Sequence, residues 1–242
     1  MSSNNVSSNS NDVDVATDAA GNVLWVGRFW LYLDFDGTEF LTASGTDVFV
    51  AKLDGGTGDT LWVRQVGSDS TSEAHPRVES DETGRVWVLA TDVSYWLHIR
   101  FPLTTFNSEG EVLVNRLLPP DFWAPNLPDA QTWHMTLDNS GHLLFSGLTM
   151  GSVDFGGGER VSSSHAAFVA WYDSTGTYVA DRTYPAMTEN GAPLGAVWGK
   201  SVATDSVGNV LLGGYFQGTV DFGNGPVQAC SSPFLLRFKP TL

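Results

Sequence analysis

The chain is poor in positive charge. Of its 242 residues only 12 are lysine or arginine, against 27 aspartates and glutamates, which leaves a net charge of −15 at pH 7. Nucleic-acid binders need clustered cations to meet phosphates, so a nucleic-acid partner is excluded. Docking on an anionic lipid surface is excluded on the same ground. The single cysteine, Cys230, rules out an intramolecular disulfide and a cysteine-rich zinc site. No run of about 18 apolar residues occurs, so no membrane insertion is expected. Familiar chemistry is missing too. There is no G-x-S-x-G elbow, no S-x-x-K, no phosphate-binding G-x-x-x-x-G-K and no dinucleotide fingerprint. The five histidines, His75, His98, His134, His142 and His165, form neither H-x-x-x-H nor H-E-x-x-H. No metal and no cofactor are therefore expected.

Apolar residues make up 42% of the chain and charged ones 16%, enough for a substantial core. Residues 1–12, opening MSSNNVSSNSN, are polar and read as a flexible lead-in. The segment has neither the basic start nor the apolar stretch of a secretory signal.

An internal repeat sets the fold. Four segments share one pattern: VATDAAGNVLWVG (Val15 to Gly27), VESDETGRVWVLA (Val78 to Ala90), MTLDNSGHLLFSG (Met135 to Gly147) and VATDSVGNVLLGG (Val202 to Gly214). Each carries Asp followed three residues later by Gly: Asp18 and Gly21, Asp81 and Gly84, Asp138 and Gly141, Asp205 and Gly208. An Asp side chain can accept backbone N–H groups inside a turn, and Gly takes positive φ without penalty, so D-x-x-G predicts a tight hairpin. Apolar, β-rich residues follow at once. The segments LDFDGTEF, VDFGGGER and VDFGNGPV come next, then third strands such as DVFVAKLD and AAFVAWYD, then fourth strands such as DTLWVRQV, EVLVNRLL and TYVADRTY. No amphipathic helix stands out. Tandem four-stranded units are the signature of propeller blades.

The fold class expected is therefore all-β, a β-propeller of about four four-stranded blades in one domain over 13–242. Its units run over about 13–67, 77–118, 132–185 and 199–242. The last unit stops after its third strand. Either it is incomplete, or the N-terminal residues complete it, or two chains pair through the open edge. A closed monomer is the favoured expectation.

The pattern VATDxxGNVLxxGxFxGTVDFGxG…FLxRF resembles the bacterial β-propeller repeats often called SBBP-type. The resemblance spans most of 13–240. The second unit departs from it, with SYWLHIRFPLTTF (Ser94 to Phe106) in place of the DFG turn. It implies a fold and an exported protein, extracellular or at the cell surface; it implies little chemistry.

Three long segments lead into first strands: Gly67 to Pro76, Leu118 to Thr132 and Pro185 to Lys200. By fold analogy they share the binding face. Trp123, Trp133 and Trp198 sit in or beside them, with Asp121, Asn126, Asp129, Glu189 and Asn190 close in sequence. His75 and His134 hold similar places ahead of their first strands. Aromatic rings beside hydroxyl acceptors suit sugar stacking, whereas rings that wedge blades together serve packing. The leading expectation is a non-catalytic, lectin-like carbohydrate-binding module using Trp123, Trp133, Trp198, His75, His134, Asp121 and Asp129. Two others stay open. One is a protein-interaction scaffold whose acidity favours a basic partner. The other is a hydrolase or lyase at the mouth of a central channel, using His75, His134 and carboxylates drawn from separate blades. Asp34 to Gly37 offers two carboxylates, too few for a calcium loop, and the recurrence of Asp154 and Asp221 favours a turn role. Cys230 is expected to be inert in a loop between second and third strands.

Overall fold

The structure, a computed structural model, describes residues 12–35, 37, 39–67, 72–95, 98–123 and 132–239. Every regular element among the described residues is a strand. The first sheet runs β1 (Val13–Thr17), β2 (Val23–Phe35), β3 (Glu39–Leu53) and β4 (Thr60–Val66). The second runs β5 (Glu73–Ser80), β6 (Val86–Tyr95), β7 (His98–Phe106) and β8 (Val112–Trp123). The third runs β9 (Thr132–Leu137), β10 (Leu143–Asp154), β11 (Glu159–Tyr172) and β12 (Tyr178–Tyr184). A two-stranded ribbon, β13 (Thr188–Glu189) and β14 (Ala192–Pro193), precedes the last sheet. That sheet is β15 (Gly195–Thr204), β16 (Val210–Asp221) and β17 (Pro226–Phe238). Strands neighbour one another in chain order in every sheet, the up-and-down meander of a propeller blade. Among the described residues the last sheet has three strands.

The D-x-x-G corners form as expected. In the first, Gly21 donates its N–H to the Asp18 carbonyl at 3.0 Å, and Asp18 Oδ1 accepts the amides of Ala20 and Asn22 at 2.9 Å each. Gly21, Gly84, Gly141 and Gly208 all hold φ between 75° and 84°. The same device closes the turns between third and fourth strands. There Asp54, Asn107 and Asp173 accept amides two and three or four residues on.

The chain divides into two compact units, residues 1–95 with 100–118, and residues 96–99 with 119–242. In the first unit, Leu24, Val26, Val48 and Val50 pack against Val78, Val86, Val88 and Phe106. The corner between β7 and β8 is latched onto the first sheet. Trp62 Nε1 donates to the Ser108 carbonyl at 3.0 Å and Arg64 Nε to the Gly110 carbonyl at 2.7 Å. In the second unit, Leu144, Val169 and Trp171 pack against Val202, Val210 and Leu212.

The DF segments are the tips of hairpins that fold back on their own sheets. Ten residues of straight strand would set Trp25 and Phe35 roughly 33 Å apart. Their rings are 5.6 Å apart. Phe155 packs likewise on Phe168 at 4.8 Å, and Phe222 on Phe234 at 4.9 Å. In the first, third and last sheets the reversal begins where the register of the second and third strands shifts, between Trp30 and Tyr32, between Thr149 and Gly151, and between Phe216 and Gly218, with the extra residues on the third strand. At the tips, Asp34, Asp154 and Asp221 accept turn amides, which is their role in the structure.

Two expectations are corrected. Pro185 to Lys200 is not an irregular loop, because its backbone pairs in β13, β14 and the start of β15. Cys230 is not in a loop either. The hairpin arm β17 runs through it, at the register shift where Gly218 faces Ala229 and Phe216 faces Ser232.

Candidate active site in the first unit

Three carboxylates are buried together in the first unit. Asp47 is 0% exposed, Glu73 1% and Asp92 1%. They come from three strands: β3, β5 and β6. Glu73 and Asp92 face each other across the β5–β6 ladder, so their Cβ atoms are about 4.5–5.5 Å apart. Asp47 joins them at Gly67, the residue that follows β4. A β-carbon built on Gly67 would stand 2.5 Å from Glu73 Oε2 and 3.0 Å from Asp47 Oδ1. The two oxygens are therefore separated by no more than the sum of those distances. Only glycine leaves that space free, and its φ of 135° suits glycine as well. The Gln65 side-chain amide donates to Asp47 Oδ2 and to the Thr42 carbonyl, fixing the Asp47 carboxylate from the side.

The surrounding backbone is strained. Non-glycine residues with positive φ are Leu31 (65°), His75 (50°) and Asn190 (52°) among the described residues. Asn190 stands in the turn of the β13–β14 ribbon, where Asn is at ease. The other two flank the carboxylates. His75 lies two residues after Glu73. Leu31 lies two residues after Phe29, the cross-strand partner of Asp47. Strain of this kind gathers at functional sites.

A second polar group lies beside the first strand. Arg28 Nη1 meets Asp12 Oδ2 at 3.0 Å. Burial alone would raise the Asp12 carboxyl, but the Arg28 hydrogen bond and the charge and amide of His75 outweigh it and hold the group below its ordinary value.

The residues expected from sequence are placed as follows. His75 is half-buried in β5, beside the carboxylates. His134 is half-buried in β9 of the second unit, facing Ser146 across the ladder. Trp198 lies in β15, not in a loop. Its indole stacks on Tyr215 with centroids 4.6 Å apart and on His165 at 5.6 Å. Those contacts engage the ring within its own sheets rather than as a free platform. Trp123 and Asp121 fall in β8 and Trp133 in β9, but their side chains lie outside the description; Asn126 and Asp129 lie outside the described residues. Glu189 and Asn190 are exposed in the ribbon. Sequence reasoning missed Asp47, Glu73 and Asp92. They share no spacing motif, and Gly67 was read only as the start of a loop.

No known family matches the chain, and no curated protein matches it. Solved structures do. It is similar to the GH43_1 enzyme from Xanthomonas citri complexed with xylotriose, at 12% identity over 88% of this chain and 70% of that one, with a TM-score of 0.46. It is also similar to an ulvan lyase of a polysaccharide lyase family (10% identity, 88% and 56% covered, TM-score 0.45). A mannose phosphorylase from Leishmania mexicana gives 14% identity, 84% and 63% covered, and a TM-score of 0.42. The expected non-catalytic, lectin-like module is corrected at this point. Trp198, the expected platform residue whose side chain is described, is engaged by Tyr215 and His165, while three carboxylates that the expectation left out are buried together in the first unit.

Proposed function

We propose that the first unit carries the acid–base site of a glycan-cleaving enzyme, with Asp47 and Glu73 as its catalytic pair. One observation carries this reading: both carboxylates reach the same point beside Gly67. Cleavage of a glycosidic bond needs one carboxyl group to protonate the leaving oxygen and another to attack, or to activate water. A separation of about 5–5.5 Å belongs to the retaining route, in which the second carboxylate attacks carbon directly. The spacing at Gly67 does not exceed that range. Asp47, oriented by Gln65, is placed as the nucleophile and Glu73 as the acid. In the first step the glycosidic oxygen takes the Glu73 proton and leaves, while Asp47 bonds to the anomeric carbon. In the second, Glu73 takes a proton from water, whose oxygen displaces Asp47. Asp92 faces Glu73 across the ladder and positions it. Gly67 is exposed beside the pair.

The same reading takes the four sheets as blades of one β-propeller, and the chain as an exported SBBP-type repeat protein. The strand order and the repeated Asp/Gly corner support the blades, and the recurring sequence pattern supports the repeat resemblance. Substrates to try first are β-linked oligosaccharides, xylotriose among them, because similar enzymes are named with it. The expected result is hydrolysis with retained anomeric configuration, seen by proton NMR, and a loss of about 100-fold or more in Glu73→Gln and in Asp47→Asn. Both variants should keep the parent melting temperature to within a few degrees. Turnover by Glu73→Gln at the parent rate, or no cleavage of any glycan by the parent chain, overturns the assignment.

A further inference from the structure

Six residues before the four corner aspartates stand Asp12, His75, Thr132 and Gly199; four before them stand Asp14, Arg77, His134 and Ser201. Only the first sheet puts carboxylates at both places. Asp12 extends β1, because Arg28 donates its N–H to the Asp12 carbonyl at 3.3 Å, and Asp14 lies opposite Val26. Strand alternation therefore sets Asp12 and Asp14 on the same face as Ala16, Leu24 and Val26, which pack against the second sheet.

Each aspartate holds β5 at one point. Asp14 Oδ2 accepts the Val78 N–H at 3.1 Å. The Asp12 carboxylate meets the charge and the amide of His75, and Arg28 Nη1 braces it at 3.0 Å. Between these two points β5 bulges. Ala74 pairs with Thr91 and Arg77 with Leu89, so His75 and Pro76 together face Ala90 alone. Two steps along β1, from Asp12 to Asp14, are thus matched by three along β5, from His75 to Val78. The bulge carries His75 to φ 50°. Strained backbone persists only where its surroundings over-determine it, and a bulge re-aims the side chains beside it. Glu73 stands two residues before His75.

We propose that Asp12, braced by Arg28, is a positioning residue of the acid–base site: it clamps the bulge at His75 and so holds Glu73 against Gly67, next to Asp47. This rests on the glycan-cleaving reading of Asp47 and Glu73. Asp12 touches neither carboxylate of the pair in this role. It acts through the path of β5, and Asp14 fixes the far side of the same bulge.

Turnover of xylotriose is compared in the parent chain, Asp12→Ala and Asp12→Asn. Asp12→Ala should lower kcat about 30-fold and leave KM within about twofold, because the acid is displaced while the substrate is still held. Asp12→Asn keeps an oxygen for the His75 amide and should recover most of that loss. Melting temperatures within a few degrees of the parent separate this effect from a general loss of fold. Hydrogen exchange over Glu73–Ser80 reads the clamp without any turnover. Exchange there should quicken about tenfold or more in Asp12→Ala and less in Asp12→Asn, with β9 to β12 unchanged. If the parent chain cleaves no glycan, quicker exchange still supports the clamp and only the acid–base reading falls. Exchange at the parent rate overturns the clamp. In an active chain, quicker exchange with kcat at the parent value overturns the positioning role.

Discussion

The Lys52 ammonium meets the Asp18 carboxylate at 2.9 Å, with side chains that are only 5% and 4% exposed. Lys52 Nζ also donates to the Ser108 carbonyl at 3.3 Å, so one cation ties the first corner of the chain to the corner between β7 and β8. Asp18 has a second duty, since its other oxygen closes its own turn.

Removing Lys52 leaves that carboxylate buried without its charge partner. Breaking one side of a buried pair typically costs about 3–5 kcal/mol. Lys52→Met should therefore lower stability in urea by about 3 kcal/mol at pH 7. Burial pushes the Asp18 carboxyl up, but hydrogen bonds from Lys52 and Asn22 outweigh it and hold the group at about 2. Its contribution is thus present above the ordinary carboxylate value of 3.8 and fades as pH falls toward 2. In Lys52→Met, acid unfolding should begin at a higher pH than in the parent, as followed by circular dichroism.

Glu79 behaves in the opposite sense. Burial, and then the charge of Asp14, raise its carboxyl from 4.5 to about 6. A carboxyl raised on folding stabilises the fold below its unfolded value and withdraws that stability as pH climbs through the folded value. Glu79→Gln should stabilise the chain by about 1 kcal/mol at pH 7.5, after allowance for partial solvent screening. At pH 4 the difference should vanish. Urea melts of both proteins at the two pH values check the sign.

Gly110 packs against Trp62. A β-carbon there would lie 2.8 Å from the indole, and φ is +79° besides. Gly208 shares that φ, but a β-carbon on it meets nothing within 4 Å. Gly208→Ala should cost about 1 kcal/mol, from backbone strain alone. Gly110→Ala should cost about 2 kcal/mol or more and shift the fluorescence of Trp62, because the ring must move and its bond to Ser108 is disturbed.

The first Asp/Gly corners were legible because their chemistry is local: the acceptor, the donors and the positive-φ residue lie within five positions. The corners between third and fourth strands use the same chemistry but hid behind small changes. Gly58 follows Asp54 by four residues rather than three, and Asn107 replaces aspartate. The recurring DF was legible as a turn, yet the task of its phenylalanine was not. Phe35 can reach Trp25 only because the hairpin reverses at Leu31, and the reversal shows in sequence only once Leu31 is set beside Gly151 and Gly218. Trp198 was misjudged because strand pairing in β15 begins at Gly195, earlier than its Pro-rich approach suggested. Asp47, Glu73 and Asp92 could not be grouped from sequence. Strand register brings them together, and register is a property of whole sheets.

Nine aspartates of this chain, Asp18, Asp34, Asp54, Asp81, Asp138, Asp154, Asp173, Asp205 and Asp221, are occupied in gripping the amides of their own turns. Much of the anionic surplus is thus masonry. A redesign meant to make the molecule less acidic, for purification or immobilisation, has to leave those nine alone and draw on glutamates such as Glu82 and Glu109. Neutralising the aspartates would loosen the joints between strands before it changed how the surface meets its surroundings.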